Sequence, residues 1–101
     1  NNQEEVPSED EMVSGDNLPE PNDVEGWDDK FTQFVIDQMI DWMRQLEDIK
    51  TKEGKIITAF DQLKDYHSSN KRLLDAIGQH KPTFREQYRA ALQIIKKEKS
   101  N

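Results

Sequence analysis

From Ile56 to Ile95 the sequence steps by alternating four and three residues without a break, through Ile56, Phe60, Leu63, His67, Asn70, Leu74, Ile77, Lys81, Phe84, Tyr88, Ala91 and Ile95. Nine of these twelve positions are apolar, which is the repeat of a helix that buries one face. A heptad phase held this long predicts one helix over about residues 56–98, roughly 64 Å at 1.5 Å per residue. Local punctuation supports a competing reading. Gly78 is a candidate C-cap, Pro82 a breaker, and Thr83 with Glu86 a capping box that would open a third helix. Three helices would close into a small autonomous bundle, whereas two long ones would leave apolar surface uncovered. Phase continuity favours the single helix, because a loop ordinarily resets the register, and Pro82 would then only kink it.

An earlier stripe runs through Phe31, Val35, Met39, Trp42, Leu46 and Ile49, one face of a helix predicted over about residues 28–52. Phe34, Ile36, Ile40 and Met43 widen it beyond a two-partner seam. Asp28 and Asp29 suit its positive N-terminal end and Gly54 its termination. Phe31, Val35, Met39, Trp42, Leu46, Ile49 and Leu63 form the expected core, with Trp42 among the most buried side chains.

The chain divides at Trp27. Residues 1–29 hold eleven Asp and Glu and no Lys or Arg, whereas residues 30–101 hold ten acidic and fourteen basic, so charges of −11 and +4 make up the net −7. Residues 1–26 show no apolar period and cannot offset an ordering cost of about 1–2 kcal/mol per residue, so they are expected to be a disordered acidic arm or linker. Residues 27–101 form the helical module. Only 33% of the chain is hydrophobic and there is no cysteine, so helix pairing has to supply stability without disulfide staples. No signal peptide or membrane span is readable, and the expected setting is cytoplasmic. An acidic arm repels phosphate and the positive excess is spread along helices, which argues against nucleic acid as a partner.

The helical part resembles the spectrin repeat, the three-helix unit of spectrin, dystrophin, plakin and nesprin proteins. Phe31 through Lys52, with Trp42 followed by Met43 and Leu46, is similar to that family's first helix and its buried tryptophan. Asn70-Lys71-Arg72-Leu73-Leu74-Asp75-Ala76-Ile77-Gly78-Gln79-His80-Lys81-Pro82 is similar to the latter part of its second helix. Ala91 stands where many members carry glycine, and Asn70 where many carry histidine. The resemblance covers residues 28–98, the first two helices only. It implies an all-α partial repeat of antiparallel coiled-coil helices, acting as a cytoskeleton-associated scaffold or spacer.

No catalytic constellation is present, and no cofactor or small-molecule substrate is expected. Asp37 and Asp41 form an i,i+4 carboxylate pair, but beside the apolar stripe they read as a solvated face. Gly15, Gly26, Gly54 and Gly78 make no phosphate-cradling loop, and no serine stands in a nucleophile elbow. His67 and His80 lie thirteen residues apart, which is not a helical metal-ligand spacing, and each is expected to pack at an interface and bond through one ring nitrogen. Trp27 reads as a staple at the start of the first helix. Alternatively, Trp27-Asp28-Asp29 resembles the tryptophan-acidic cargo motifs read by kinesin light chains, and the acidic arm would then dock a specific receptor.

Two open helices would expose apolar surface, at about 25 cal/mol per Å², and so invite a partner helix or self-association. Phe60, Leu74, Ile77, Phe84 and Tyr88 are the expected contact residues, with Trp27 as a further docking candidate. The alternative is a self-sufficient three-helix adaptor domain.

Overall fold

The computed structural model describes residues 18–100. A 3-10 helix (Pro21–Gly26) leads into α1 (Asp29–Gln45). A ribbon of β1 (Ile49–Lys50) and β2 (Ile56–Ile57) connects α1 to α2 (Ala59–His80), and α3 (Pro82–Lys99) follows directly. Local chemistry sets the helix starts. The Asp28 carboxylate accepts from the Phe31 amide at 2.8 Å, Thr58 Oγ1 accepts from the Asp61 amide at 3.1 Å, and α3 opens on Pro82, whose missing N–H costs nothing in a first turn.

The three helices pack together as an all-α unit, with α3 against both α1 and α2. Two contacts fix the direction of α3 relative to α1. Lys81 Nζ meets Asp29 Oδ1 at 2.8 Å at one end, and Lys99 Nζ donates to the Arg44 and Leu46 carbonyls at 3.1 and 3.0 Å at the other, so α1 and α3 run the same way. The Ala59 amide donates to Asp48 Oδ1 at 2.7 Å, which places the start of α2 at the end of α1 and makes α2 run opposite to both. The core comprises Val24, Val35, Ile36, Met39, Ile40, Met43, Leu63, Leu73, Leu74, Ile77, Tyr88, Leu92 and Ile95.

The single long helix expected over residues 56–98 is not formed. It is broken at Lys81, whose backbone (φ −144°, ψ 72°) leaves the helical region, as a residue preceding proline is pushed to do. Chain that would have run on folds back along α2 instead. The heptad phase survives because the hinge consumes one residue and the stripe lies on the inside of the bend, where both arms face the same core. A stripe on the inside of such a bend reads like a stripe on one straight helix.

The first helix also stops earlier than expected, at Gln45 rather than near Lys52, because Leu46 is extended (φ −63°, ψ 136°) and a β-ribbon follows. Ile49 pairs with Ile57, and Lys50 with Ile56. The turn closes through the Thr51 amide to the Lys55 carbonyl at 2.8 Å and the Gly54 amide to the Thr51 carbonyl at 2.9 Å, with Gly54 at φ +86°, where a side chain is strained. Ile49 is consequently a surface residue, 49% exposed, and not part of the core.

Within α1 the buried face is Thr32, Val35, Ile36, Met39, Ile40 and Met43, rotated from the expected stripe. Val35, Met39 and, on α2, Leu63 are buried as expected, while Phe31 and Leu46 are half-buried. Trp42 is also only half-buried, its ring tilted on Tyr66 with centroids 6.1 Å apart. Because α3 packs alongside α1, the side carrying Ile36, Ile40 and Met43 is covered and Trp42 is left at the rim of the α1/α2 seam.

Residues 18–26 correct the expectation of a disordered arm through residue 26. Val24 is fully buried, Leu18 packs against the core, and the 3-10 helix lies against α2. The 3-10 helix thus adds a buried valine to a core in which α1 and α2 touch each other little. Residues 1–17, the remainder of that expectation, lie outside the described residues.

Candidate functional site

The residues expected to bind a partner helix are instead occupied within the chain. Leu74, Ile77 and Tyr88 are buried between α2 and α3, and Phe60 and Phe84 are half-buried against the same core. The fold-back at Lys81 covers the stripe that two open helices would have exposed. Trp27 packs edge-on to Phe31, ring centroids 4.9 Å apart, as a residue stapling the start of α1 does.

The Asp37 and Asp41 carboxylates do not face one another as an acid–base pair. Each accepts from a glutamine one turn away on α1: Gln33 Nε2 to Asp37 Oδ1 at 2.8 Å and Gln45 Nε2 to Asp41 Oδ2 at 2.7 Å. No group of three or more His, Cys, Asp or Glu side chains is placed to hold a metal ion among the described residues, and none of their helices is long and apolar enough to cross a membrane.

What the fold does assemble is a cationic groove of about 250 Å³ between α2 and α3. Lys71 contributes from α2, and Arg85, Arg89 and Lys96 from α3; Leu74 and Leu92 supply an apolar floor, and His67 stands at the side. Helix geometry puts them there. Arg85 and Arg89 are one turn apart and Lys96 follows two turns later, so all three share a face of α3. The fold-back then brings that face opposite Lys71. The one carboxylate lining the groove among the described residues, Asp75, lies 3.6 Å from Lys71 Nζ, and both side chains are more than half exposed, so the pair is weak. Among the described residues no carboxylate lies within ion-pair distance of Arg85, Arg89 or Lys96.

His67 joins the groove to the core. Its Nδ1 is 3.0 Å from Tyr88 Oη and the two rings stack at 5.8 Å, as expected of an imidazole packed at an interface and bonded through one nitrogen, whereas His80, expected to do the same, is exposed at the end of α2. Its pKa lies below the ordinary value, first through burial and then through the positive charges of Lys96, Lys71 and Arg89, with Asp75 opposing them. Beneath it, burial pushes the Tyr88 phenol above its usual range, and burial with Tyr88 nearby does the same to Tyr66.

In the sequence alone the cations of α3 belong to a positive excess spread along helices. The i, i+4, i+11 spacing of Arg85, Arg89 and Lys96 was a legible signal that they share a face, but only the break at Lys81 reveals that this face closes on Lys71. The α1/α3 groove, lined by Asp37, Asp41 and Arg44 among others, has an acidic excess by contrast. No family model, no curated protein and no solved structure matches the chain.

Proposed function

We propose that this chain is a non-enzymatic protein-interaction module: an autonomous three-helix domain that recognises its partner through the α2/α3 groove. The observation that carries this reading is the assembly of four cations over an apolar seam already closed by the chain's own helices. Helices whose apolar faces satisfy one another need no partner helix in order to fold. Their polar surface is then available for recognition, and concentrating Lys71, Arg85, Arg89 and Lys96 there costs repulsion that a bound acidic segment would relieve.

A photoreactive group at position 93, inside the groove, tests the reading in cells. Crosslinks to a partner are expected from position 93 and are expected to disappear with Arg89→Glu. Equal crosslinking from position 41 on α1, insensitive to Arg89→Glu, would defeat the groove as the recognition surface.

A spectrin-type spacer in a cytoskeletal scaffold is a second reading, favoured by the up-down-up order of the helices. In that reading the third helix is supplied by residues 82–99 rather than by another chain. Sedimentation equilibrium separates the possibilities: the adaptor reading expects a compact monomer at every concentration, and a dimer that forms with loss of the α2/α3 contact would restore pairing between chains.

A further inference from the structure

The α2/α3 groove has the features of a receptor for one compact dianion, and we propose that it binds a phosphate group carried on a partner polypeptide. This rests on the interaction-module reading and adds the ligand's chemistry to it. Three cations with no carboxylate partner among the described residues line the groove together with a fourth, Lys71, whose weak pairing to Asp75 a ligand can replace. Two of the four are arginines one turn apart, and their planar guanidinium forks match phosphate oxygens. A phosphorylated side chain brings about −1.5 to −2 charge and three strong acceptors into such a cluster, more than a single carboxylate offers.

Gly78 supplies the second, independent observation. It lies in the last turn of α2 beneath Arg85, and a Cβ at that position would come within 2.2 Å of Arg85 Cδ and 2.9 Å of one guanidinium nitrogen. The bare backbone therefore lets Arg85 lie flat across α2 and hold its guanidinium at the groove. That orientation is set before a ligand arrives, which lowers the ordering cost of binding.

Several observations favour a polypeptide over a nucleic acid strand. The groove is about 250 Å³, room for a phosphate and the side chain that carries it, and almost fully buried Leu74 and Leu92 close its floor. A strand continuing past it would carry repeated phosphates, whereas the positive excess of residues 30–101 is only four charges. A peptide can instead offer a single phosphate to the cations.

The experiment uses the full chain, labelled for NMR and titrated in parallel with a short phosphoserine peptide, its unphosphorylated form, inorganic phosphate and a single-stranded oligonucleotide. The phosphopeptide is expected to saturate with shifts centred on His67, Lys71, Arg85, Arg89 and Lys96 and to raise the His67 pKa, since an anion beside the imidazole favours its charged form. Inorganic phosphate is expected to move the same resonances more weakly. Arg89→Ala should weaken peptide binding about tenfold or more. Asp75→Asn should tighten it, a gain that structural damage could not produce. Gly78→Ala should preserve the fold and still weaken binding, because it displaces Arg85. Equal binding of the unphosphorylated peptide overturns phosphate recognition and leaves the interaction reading standing. Inorganic phosphate binding as tightly as the peptide overturns the polypeptide source, and tighter binding of the oligonucleotide at the same residues overturns the choice of macromolecule. Unchanged affinity in Gly78→Ala overturns the role of the glycine.

Discussion

The two connections between helices solve opposite problems. Thirteen residues, 46–58, lead from α1 to α2, and they carry their own hydrogen bonds: Thr51 to Lys55, Gly54 to Thr51, the Ala59 amide to Asp48, and Gln62 Nε2 to the Glu47 and Ile57 carbonyls. Its residues are largely exposed, Ile49 and Ile56 about half so. One residue, Lys81, leads from α2 to α3, and it is held by what lies on either side: Ile77 and Tyr88 fully buried, Arg85 seated on Gly78. The long connection is thus specified locally and contributes little to the core. The short one has almost no structure of its own, and tertiary packing decides its angle.

If that contrast is right, the largest losses come from the inner side of the short connection. Ile77→Ala should cost about 2–5 kcal/mol, read as a lower urea midpoint of a monomer. The same substitution changing oligomeric state while leaving the monomer's midpoint intact would mean that Ile77 faces another chain.

Alkaline titration addresses the same seam. Both tyrosines of the chain hold their phenol protons more tightly when folded than the usual value of 10.0. Their contribution to stability is therefore complete below pH 10 and is lost as the pH rises beyond it. Tyrosinate absorbance is expected to appear together with loss of helical circular dichroism. Ionisation of Tyr88 in a fully helical chain would show that the α2/α3 seam admits solvent.

Changes in the long connection should be milder. Gly54→Ala forces a side chain into the left-handed region and should cost about 1–2 kcal/mol, and Asp48→Ala, which removes an acceptor for the first amide of α2, about 1 kcal/mol. Differential scanning calorimetry would register both as small shifts of one cooperative transition; a transition that splits would show the ribbon to be integral to the core. The smallest effect is expected at Gly78. There alanine gains up to about 1 kcal/mol of helix propensity while Arg85, a flexible side chain, moves aside, so the melting temperature should hold or rise slightly. A clear fall would mean that backbone, not only Arg85, fills that space.

The sequence was informative where one period served one helix face. Val35, Met39 and Leu63 lie in the interior as expected, Leu74, Ile77 and Tyr88 lie there too although expected against a partner, and the signals at Gly78 and Pro82 marked the true break to within a few residues. Periodicity failed where two structures share it. A one-residue hinge conserves the heptad count, so the stripe could not report the fold-back, and Trp42 could not be told from Met43 until the position of α3 was known. The ribbon was signalled by β-branched Ile49, Thr51, Ile56 and Ile57 around Glu53-Gly54, a hairpin pattern that the preceding helical stripe masked. Val24 offered no period at all, being a single apolar residue that closes a gap. The groove depended on the same fold-back, which is why its cations looked dispersed.

The two lysines that clasp α1 to α3, Lys81 on Asp29 and Lys99 on the Arg44 and Leu46 carbonyls, join residues more than fifty positions apart in the chain. Closing so long a loop costs more chain entropy than turning at Lys81, where the partners of the α2/α3 seam begin only a few residues apart. The order of assembly follows. The α2/α3 pair is the natural folding nucleus and α1 docks afterwards, its amphipathic face completing a surface already half built. Substitutions in the α2/α3 seam should therefore slow folding, whereas substitutions at the clasp should mainly speed unfolding.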